Sequence, residues 1–250
     1  MNKNKYLAQT KLLDFNTNKI QQLIGDRGWN TLNPYLKIQA VYSYVRDEIK
    51  FGYNDDDNIS ASHVLNDGYG QCNTKGILLM ALLRGIGIPC RFHGFTIFNE
   101  LQKGAIPEYI MPLAPAEIVH SWVEVYYNGG WIELEGFILD QPYLSAVQNK
   151  YSHIKADFSG YGIATKCLSN PPINWSGKST YIQSEGIAHD FGIFDSPDDF
   201  FTQHGSNLSG IKRLLYKYLV RHLMNRNVTL IRKSTLSKSS NHKYVVKNMP

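Results

Sequence analysis

The chain has 250 residues, 43% hydrophobic and 12% aromatic, which suffices for a sizeable core and argues against wholesale disorder. Its formal charge of +5 hides an asymmetry: residues 211–250 hold ten Lys and Arg and no acid, so residues 1–210 carry a net −5. No apolar run approaches the roughly 20 residues of a membrane span, the N-terminus lacks the apolar stretch of a signal peptide, and three cysteines make no disulfide framework. A reduced, cytoplasmic protein is expected.

Residues 1–50 read as helical. Asn33-Pro34 is a cap followed by proline at the first helical position, and Leu36, Ala40, Val41, Tyr44, Val45 and Ile49 then recur near helical spacing. Asn54-Asp55-Asp56-Asp57-Asn58 reads as a solvated turn rather than a cation site. Asn66 to Gln71 is turn chemistry, with Gly68 and Gly70 free to take positive φ. Cys72 to Arg84 predicts a mostly buried helix that stops at Gly85-Ile-Gly-Ile-Pro89. Arg91 to Phe98 predicts a strand. Residues 99–118 form a long loop, of the length that lids over clefts often have. His120 to Tyr127, Asn128-Gly129, and Gly130 to Glu135 carry the strongest short-range hairpin signal. Residues 141–205 are turn-rich, and Ser196-Pro197-Asp198-Asp199 predicts a helix start. From Asn207, the residues Leu208, Ile211, Leu215, Tyr218, Leu219 and Leu223 recur at three and four, which predicts a final amphipathic helix docked by that stripe. Residues 233–250, rich in Lys, Ser and Asn, predict a disordered basic tail.

The chemistry centres on Cys72. A thiol attacks carbonyl carbon as the thiolate, and a helix N-terminus or a partner imidazolium favours that form. Cys72 stands where a glycine turn meets a helix start, and the amides there could also hold an oxyanion. His120 is the candidate base. Glu135 is the candidate orienting group, on a condition. If Asn128-Gly129 is a two-residue loop, Trp122 faces Glu135, and Glu135 lies diagonal to His120 on one sheet face. A three-residue loop would put Glu135 on the opposite face. Cys90-Arg-Phe-His93 has the spacing of half a zinc site but no second half, so a buried strand cysteine is expected. Asp190-Phe-Gly192 lacks the companions of a kinase motif.

Gly68-Tyr-Gly70-Gln-Cys72-Asn-Thr-Lys-Gly, continuing to Arg91, resembles the cysteine motif of the transglutaminase-like superfamily. His120-Ser-Trp-Val-Glu-Val125 resembles its histidine strand, and Trp131-Ile-Glu-Leu-Glu135 the strand of its third residue. The resemblance covers about residues 35–140 and keeps the family's order. It implies an α+β, papain-like core, in which a helix bearing the cysteine packs on an antiparallel sheet bearing the histidine and the acid, with helical extensions at both ends. A single domain over 1–232 follows, with the core at about 35–140 and a C-terminal extension at 141–232. The resemblance implies acyl transfer through a thioester, with Cys72 as nucleophile, His120 as base and then acid, and Glu135 as orienting group. The family usually has Asp at this last position, so Glu133 and Asp140 stay open as alternatives. Tyr69 and Trp122 are candidate substrate-binding residues. The expected activity is that of a thiol peptidase or amidase, or of a transamidase, on a peptide or protein substrate. The other reading is an inactive member serving as a binding module. No metal or cofactor is required, no obligate nucleic acid is expected, and the basic tail could contact anionic surfaces.

Overall fold

A computed structural model describes residues 3–154, 156–208 and 210–244. Its elements are α1 (Asn18–Asp26), α2 (Pro34–Asp47), β1 (Lys50–Phe51), α3 (Ala61–Asp67), β2 (Tyr69–Gly70), α4 (Cys72–Gly85), β3 (Cys90–Phe98), β4 (Glu117–Tyr127) and β5 (Gly130–Leu134). There follow α5 (Gln141–Lys150), β6 (Phe158–Gly160), β7 (Ile163–Thr165), β8 (Ile187–Phe194), α6 (Pro197–His204), α7 (Gly210–Leu215), a π-helical turn (Tyr216–Val220) and α8 (Arg221–Tyr244). The fold is α+β, as the resemblance implies. The central antiparallel sheet has the order β5-β4-β3-β8, and α4 lies against it. A Cβ on Gly76 would stand 3.6 Å from Val123 of β4, so helix and strand are in direct contact.

Local signals explain the helix ends. The Asn33 side chain accepts the Leu36 N–H at 3.0 Å, and the Ser196 hydroxyl accepts that of Asp199 at 3.2 Å. The apolar face of α2 is displaced from the predicted stripe. Ile38, Val41, Tyr42 and Val45 are buried, whereas Leu36 is exposed. The whole run Cys72–Arg84 is buried, because α4 has neighbours on every side. The hairpin closes through Asn128 and Gly129, both at positive φ (49° and 86°), as a two-residue loop between right-twisted strands requires. Its register pairs Glu124 with Glu133 and Val123 with Leu134, the alignment that places Glu135 diagonal to His120.

The segment read as turn-rich, 141–205, contributes more than turns. It holds α5, and its strand β8 completes the central sheet beside β3. Within the predicted loop 99–118 are two short 3-10 turns, and β4 already begins at Glu117.

Two expectations about charge need correcting. The acid run 54–58 is not a solvated turn. Asp55 pairs with Lys217 at 2.8 Å, Asp56 pairs with Arg213, and Asp57 is buried. The start of the basic segment is therefore neutralised by the acidic body. The helix also runs on to Tyr244, so residues 233–244 are helical where the composition predicts disorder, and 245–250 lie outside the described residues. Extending an anchored helix by one residue adds a hydrogen bond without a new nucleation cost, and Lys and Ser are acceptable in its interior.

The docked stripe is also not the predicted one. Tyr216, Val220, Met224, Val228 and Ile231 face the body, while Ile211, Tyr218 and Leu219 face water. Both sets recur at helical spacing, so periodicity alone could not choose between them. Further along, Arg232 places Nη2 2.6 Å and Nε 2.9 Å from the carboxylate of Asp140, which is buried. Burial pushes the Asp140 pKa up, but Arg232, the Phe51 N–H and Lys75 together hold it below its usual 3.8. Removing the guanidinium by Arg232→Ala is expected to cost about 3 kcal/mol at neutral pH, since a buried carboxylate loses its cation. An acid with a lowered folded pKa stabilises above its unfolded value and loses that contribution as pH falls. The gap between wild type and variant in urea midpoint should therefore close below about pH 4.

Candidate active site

Cys72 is the first residue of α4, so its sulfur sits at the positive end of the helix dipole. The turn before it is built tightly. Gly68 takes φ +67° and ends α3, but Gly70 is needed for space: a Cβ there would lie 2.6 Å from Thr74 Oγ1. That hydroxyl accepts the Gln71 N–H at 3.0 Å and donates to Asn54 Oδ1 at 2.6 Å. Asp57 ties down the residues on either side of the cysteine. Its oxygens accept from Gln71 Nε2 at 2.9 Å, Asn73 Nδ2 at 3.2 Å and Asn207 Nδ2 at 2.7 Å. Burial pushes the Asp57 pKa up. Nothing in the sequence distinguishes Asp57 from its acidic neighbours, so its role emerges only in three dimensions.

His120 and Glu135 are completely buried, with His120 Nε2 2.8 Å from Glu135 Oε1. The other Glu135 oxygen accepts three backbone N–H groups, from Ile182 at 2.8 Å, Gln183 at 2.9 Å and Ser184 at 3.1 Å. This cradle comes from the turn-rich segment and carries no motif. With Nε2 committed to Glu135, Nδ1 is the nitrogen left for the thiol. It makes no hydrogen bond of ordinary geometry among the described residues, yet Cys72 is close enough to act on the ring. Burial pushes the imidazole pKa down, but Cys72 first, and Glu135 after it, raise it to about 10. His120 is thus expected to remain an imidazolium through the neutral range. In a Cys72→Ala variant the largest upward influence is gone, so the ring proton should titrate at lower pH. Following the His120 Hε1 resonance by NMR checks this; an unchanged midpoint in the variant would break the link between the two side chains.

The other carboxylates are engaged elsewhere. Asp140 caps α5 through the Tyr143 N–H at 3.1 Å and binds Arg232. Glu133 accepts the Tyr181 hydroxyl. Of the three acids the sequence leaves open, only Glu135 is hydrogen-bonded to His120 among the described residues.

Cys72 lines a cavity of about 250 Å³. Its walls include Ile97, Ile106, Ile110 and Val119, and Tyr216, Val220 and Met224 of the C-terminal helical segment also line it. Described residues from 106–115, 206–208 and 212–224 therefore line the same cavity as the thiol, although the sequence suggests only the first of these stretches as part of a lid. Gln183 also lines the cavity. Its Nε2 donates to the Gly162 carbonyl at 2.6 Å, while its buried Oε1 has no partner among the described residues. Neither Tyr69 nor Trp122 lines this space. The Tyr69 hydroxyl accepts from Arg221 at 3.2 Å, and Trp122 packs on Phe95 at 4.1 Å between ring centres.

Cys90 and His93 cannot share an ion, because strand alternation sends them to opposite faces. Cys90 is fully buried, with Sγ 3.6 Å from the Met80 carbonyl, whereas His93 bonds Glu124 at 2.8 Å and Asp190 at 3.0 Å. His93, Glu124 and Glu133 do place possible ligand atoms within 4.8 Å of one another. Glu124 is also bonded to Arg91 at 2.7 Å, so its charge is already balanced by a cation.

Residues 26–136 match the family model described as the transglutaminase-like superfamily. Among solved structures, the chain is similar to a Cytophaga hutchinsonii protein described as a candidate cysteine protease, at 14% identity and a TM-score of 0.45 over 78% of this chain and 47% of that one. It is also similar to red sea bream transglutaminase, at 14% identity and a TM-score of 0.31 over 53% of this chain and 25% of that one. The chain thus spans about half the length of the first and a quarter of the second. No curated protein matches it.

Proposed function

Starting from a transglutaminase-like core at residues 26–136, we propose that this protein is a cysteine acyl-transfer enzyme that opens amide bonds, with thiol peptidase or amidase activity favoured over transamidation. The reading is carried by one observation. A cysteine at a helix N-terminus adjoins a buried histidine whose far nitrogen is held 2.8 Å from a buried carboxylate.

In the proposed reaction the Cys72 thiolate attacks the substrate carbonyl carbon, and amides at the start of α4 stabilise the oxyanion. The His120 imidazolium passes its proton to the leaving nitrogen as the C–N bond breaks, which leaves a thioester on Cys72 and a neutral imidazole. Water, or an amine, then attacks the thioester while His120 takes the proton, and the C–S bond breaks. Glu135 accepts from Nε2–H throughout, so the ring keeps the tautomer and orientation the cycle needs. The cavity walls suit an apolar substrate side chain.

The acceptor is tested by presenting peptide amides with and without a primary amine and identifying products by mass spectrometry. Hydrolysis products should predominate even with amine present. Predominant amide exchange would assign the protein to the transamidases. Absence of any thioester or turnover, with an unreactive Cys72, would replace the enzyme by the binding module.

A further inference from the structure

We propose that the outward face of the helical segment 210–219 seats this protein on an anionic lipid bilayer. Ile211, Leu214, Leu215, Tyr218 and Leu219 follow one another at three- and four-residue spacing, and all face water. They are 84, 56, 46, 70 and 53% exposed. A helix packed on a protein body needs one apolar stripe. This segment has two, because Tyr216, Val220 and Met224 already supply the inner one. Five large apolar side chains in a row on the surface mark an interaction face.

Charge selects the occupant. The chain from 211 to 250 holds ten Lys and Arg and no acid, and although Arg213, Lys217 and Arg232 pair with Asp56, Asp55 and Asp140, the other seven keep it basic. Lys212 stands exposed within the apolar stretch, and Arg226 is exposed further along. Two copies meeting through this face would bring like charges together. Nucleic acid would match the charge but has no use for a row of aliphatic side chains. An anionic bilayer matches both, with headgroups for the cations and the acyl boundary for the stripe. No helix among the described residues is long and apolar enough to cross a membrane, which fits a segment that lies on the surface rather than spanning it. Lys212, Arg213 and Leu215 also line the rim of the Cys72 cavity, so a docked molecule turns that rim towards the lipid. The docking does not depend on the proposed acyl transfer, and the test below does not measure it.

Vesicle flotation with the full chain tests the proposal. The protein should float with phosphatidylcholine vesicles that contain about one-third phosphatidylserine, stay behind with pure phosphatidylcholine, and detach as salt is raised. The double variant Ile211→Glu, Leu214→Glu should bind the anionic vesicles about tenfold or more weakly. Its circular dichroism and melting should be unchanged, because both side chains are exposed. No binding to anionic vesicles at low salt would overturn the proposal. So would equal binding by the double variant, since attraction of the basic tail alone would then suffice. A wild-type dimer in sedimentation velocity that the variant fails to form would assign the face to a second copy instead.

Discussion

Replacing Cys72 by alanine should lower amide turnover by at least about 10⁴-fold, because Cys72 is the only thiol among the described residues that line the cavity. Stability should change by about 1 kcal/mol or less, since only one sulfur atom is removed from a site that borders a cavity. The three cysteines make the labelling version of this experiment discriminating. Cys167 is exposed, so an alkylating electrophile should modify it slowly, in wild type and variant alike. Cys90 is buried, and burial pushes its pKa up, so it should stay unmodified in the folded protein. Cys72 is only 8% exposed, yet it should react fastest, because it sits at a helix N-terminus beside an imidazole raised to about 10. Peptide mapping after brief labelling separates the three. Modification at Cys167 alone would remove the nucleophile from the proposed mechanism.

The second large effect is expected from Glu135→Gln, a change of almost no volume. All four partners of the Glu135 carboxylate are donors: His120 Nε2–H on one oxygen and the N–H groups of Ile182, Gln183 and Ser184 on the other. A carboxylate accepts on both sides, but a carboxamide accepts on one and donates on the other. If the amide oxygen turns to the three backbone groups, its NH₂ faces His120 and forces the ring into the wrong tautomer. If it turns the other way, the NH₂ meets three N–H groups that cannot accept. The first arrangement leaves fewer donors unsatisfied. A fall in kcat of about 10⁴ follows for a ring in the wrong tautomer, with a stability loss of about 1–3 kcal/mol from the mismatched buried hydrogen bonds. Steady-state kinetics and chemical denaturation read the two effects separately. Glu135→Asp keeps the charge but shortens the reach, so it should lose either the cradle or the histidine and retain more activity than Glu135→Gln. If Glu135→Gln were close to wild type while Asp140→Asn or Glu133→Gln abolished turnover, the orienting role would pass to that residue.

The cradle also bears on why this chain carries Glu where the resemblance leads one to expect Asp. The longer side chain spans two sets of partners, a histidine on β4 and a backbone turn that precedes β8. The histidine side could be anticipated from the hairpin, because Asn128-Gly129 sets the register and strand alternation does the rest. The backbone turn could not. Ile182 to Ser184 lies 47 to 49 residues beyond Glu135, and amides carry no sequence signature.

Features that depend on neighbours along the chain were legible in the sequence. The caps at Asn33 and Ser196, the buried helix after Gln71 and the two-residue hairpin loop follow from residue type and spacing, because their physics acts within a few residues; the order Cys72, His120, Glu135 is what the resemblance implies. What lies against a surface was not legible. An acidic run reads the same whether it meets water or the Lys217 and Arg213 side chains. A helix with apolar residues on two sides does not say which side is covered. Only the tertiary structure decided that Asp57 would anchor both neighbours of the cysteine, that Ile182 to Ser184 would hold Glu135, and that the basic C-terminal segment would line the thiol's cavity with its other apolar stripe in solvent. These contacts join residues more than a hundred positions apart in the case of Asp57 with Asn207 and Asp55 with Lys217. Packing chooses them by the burial and charge balance of the whole chain, which no local pattern records.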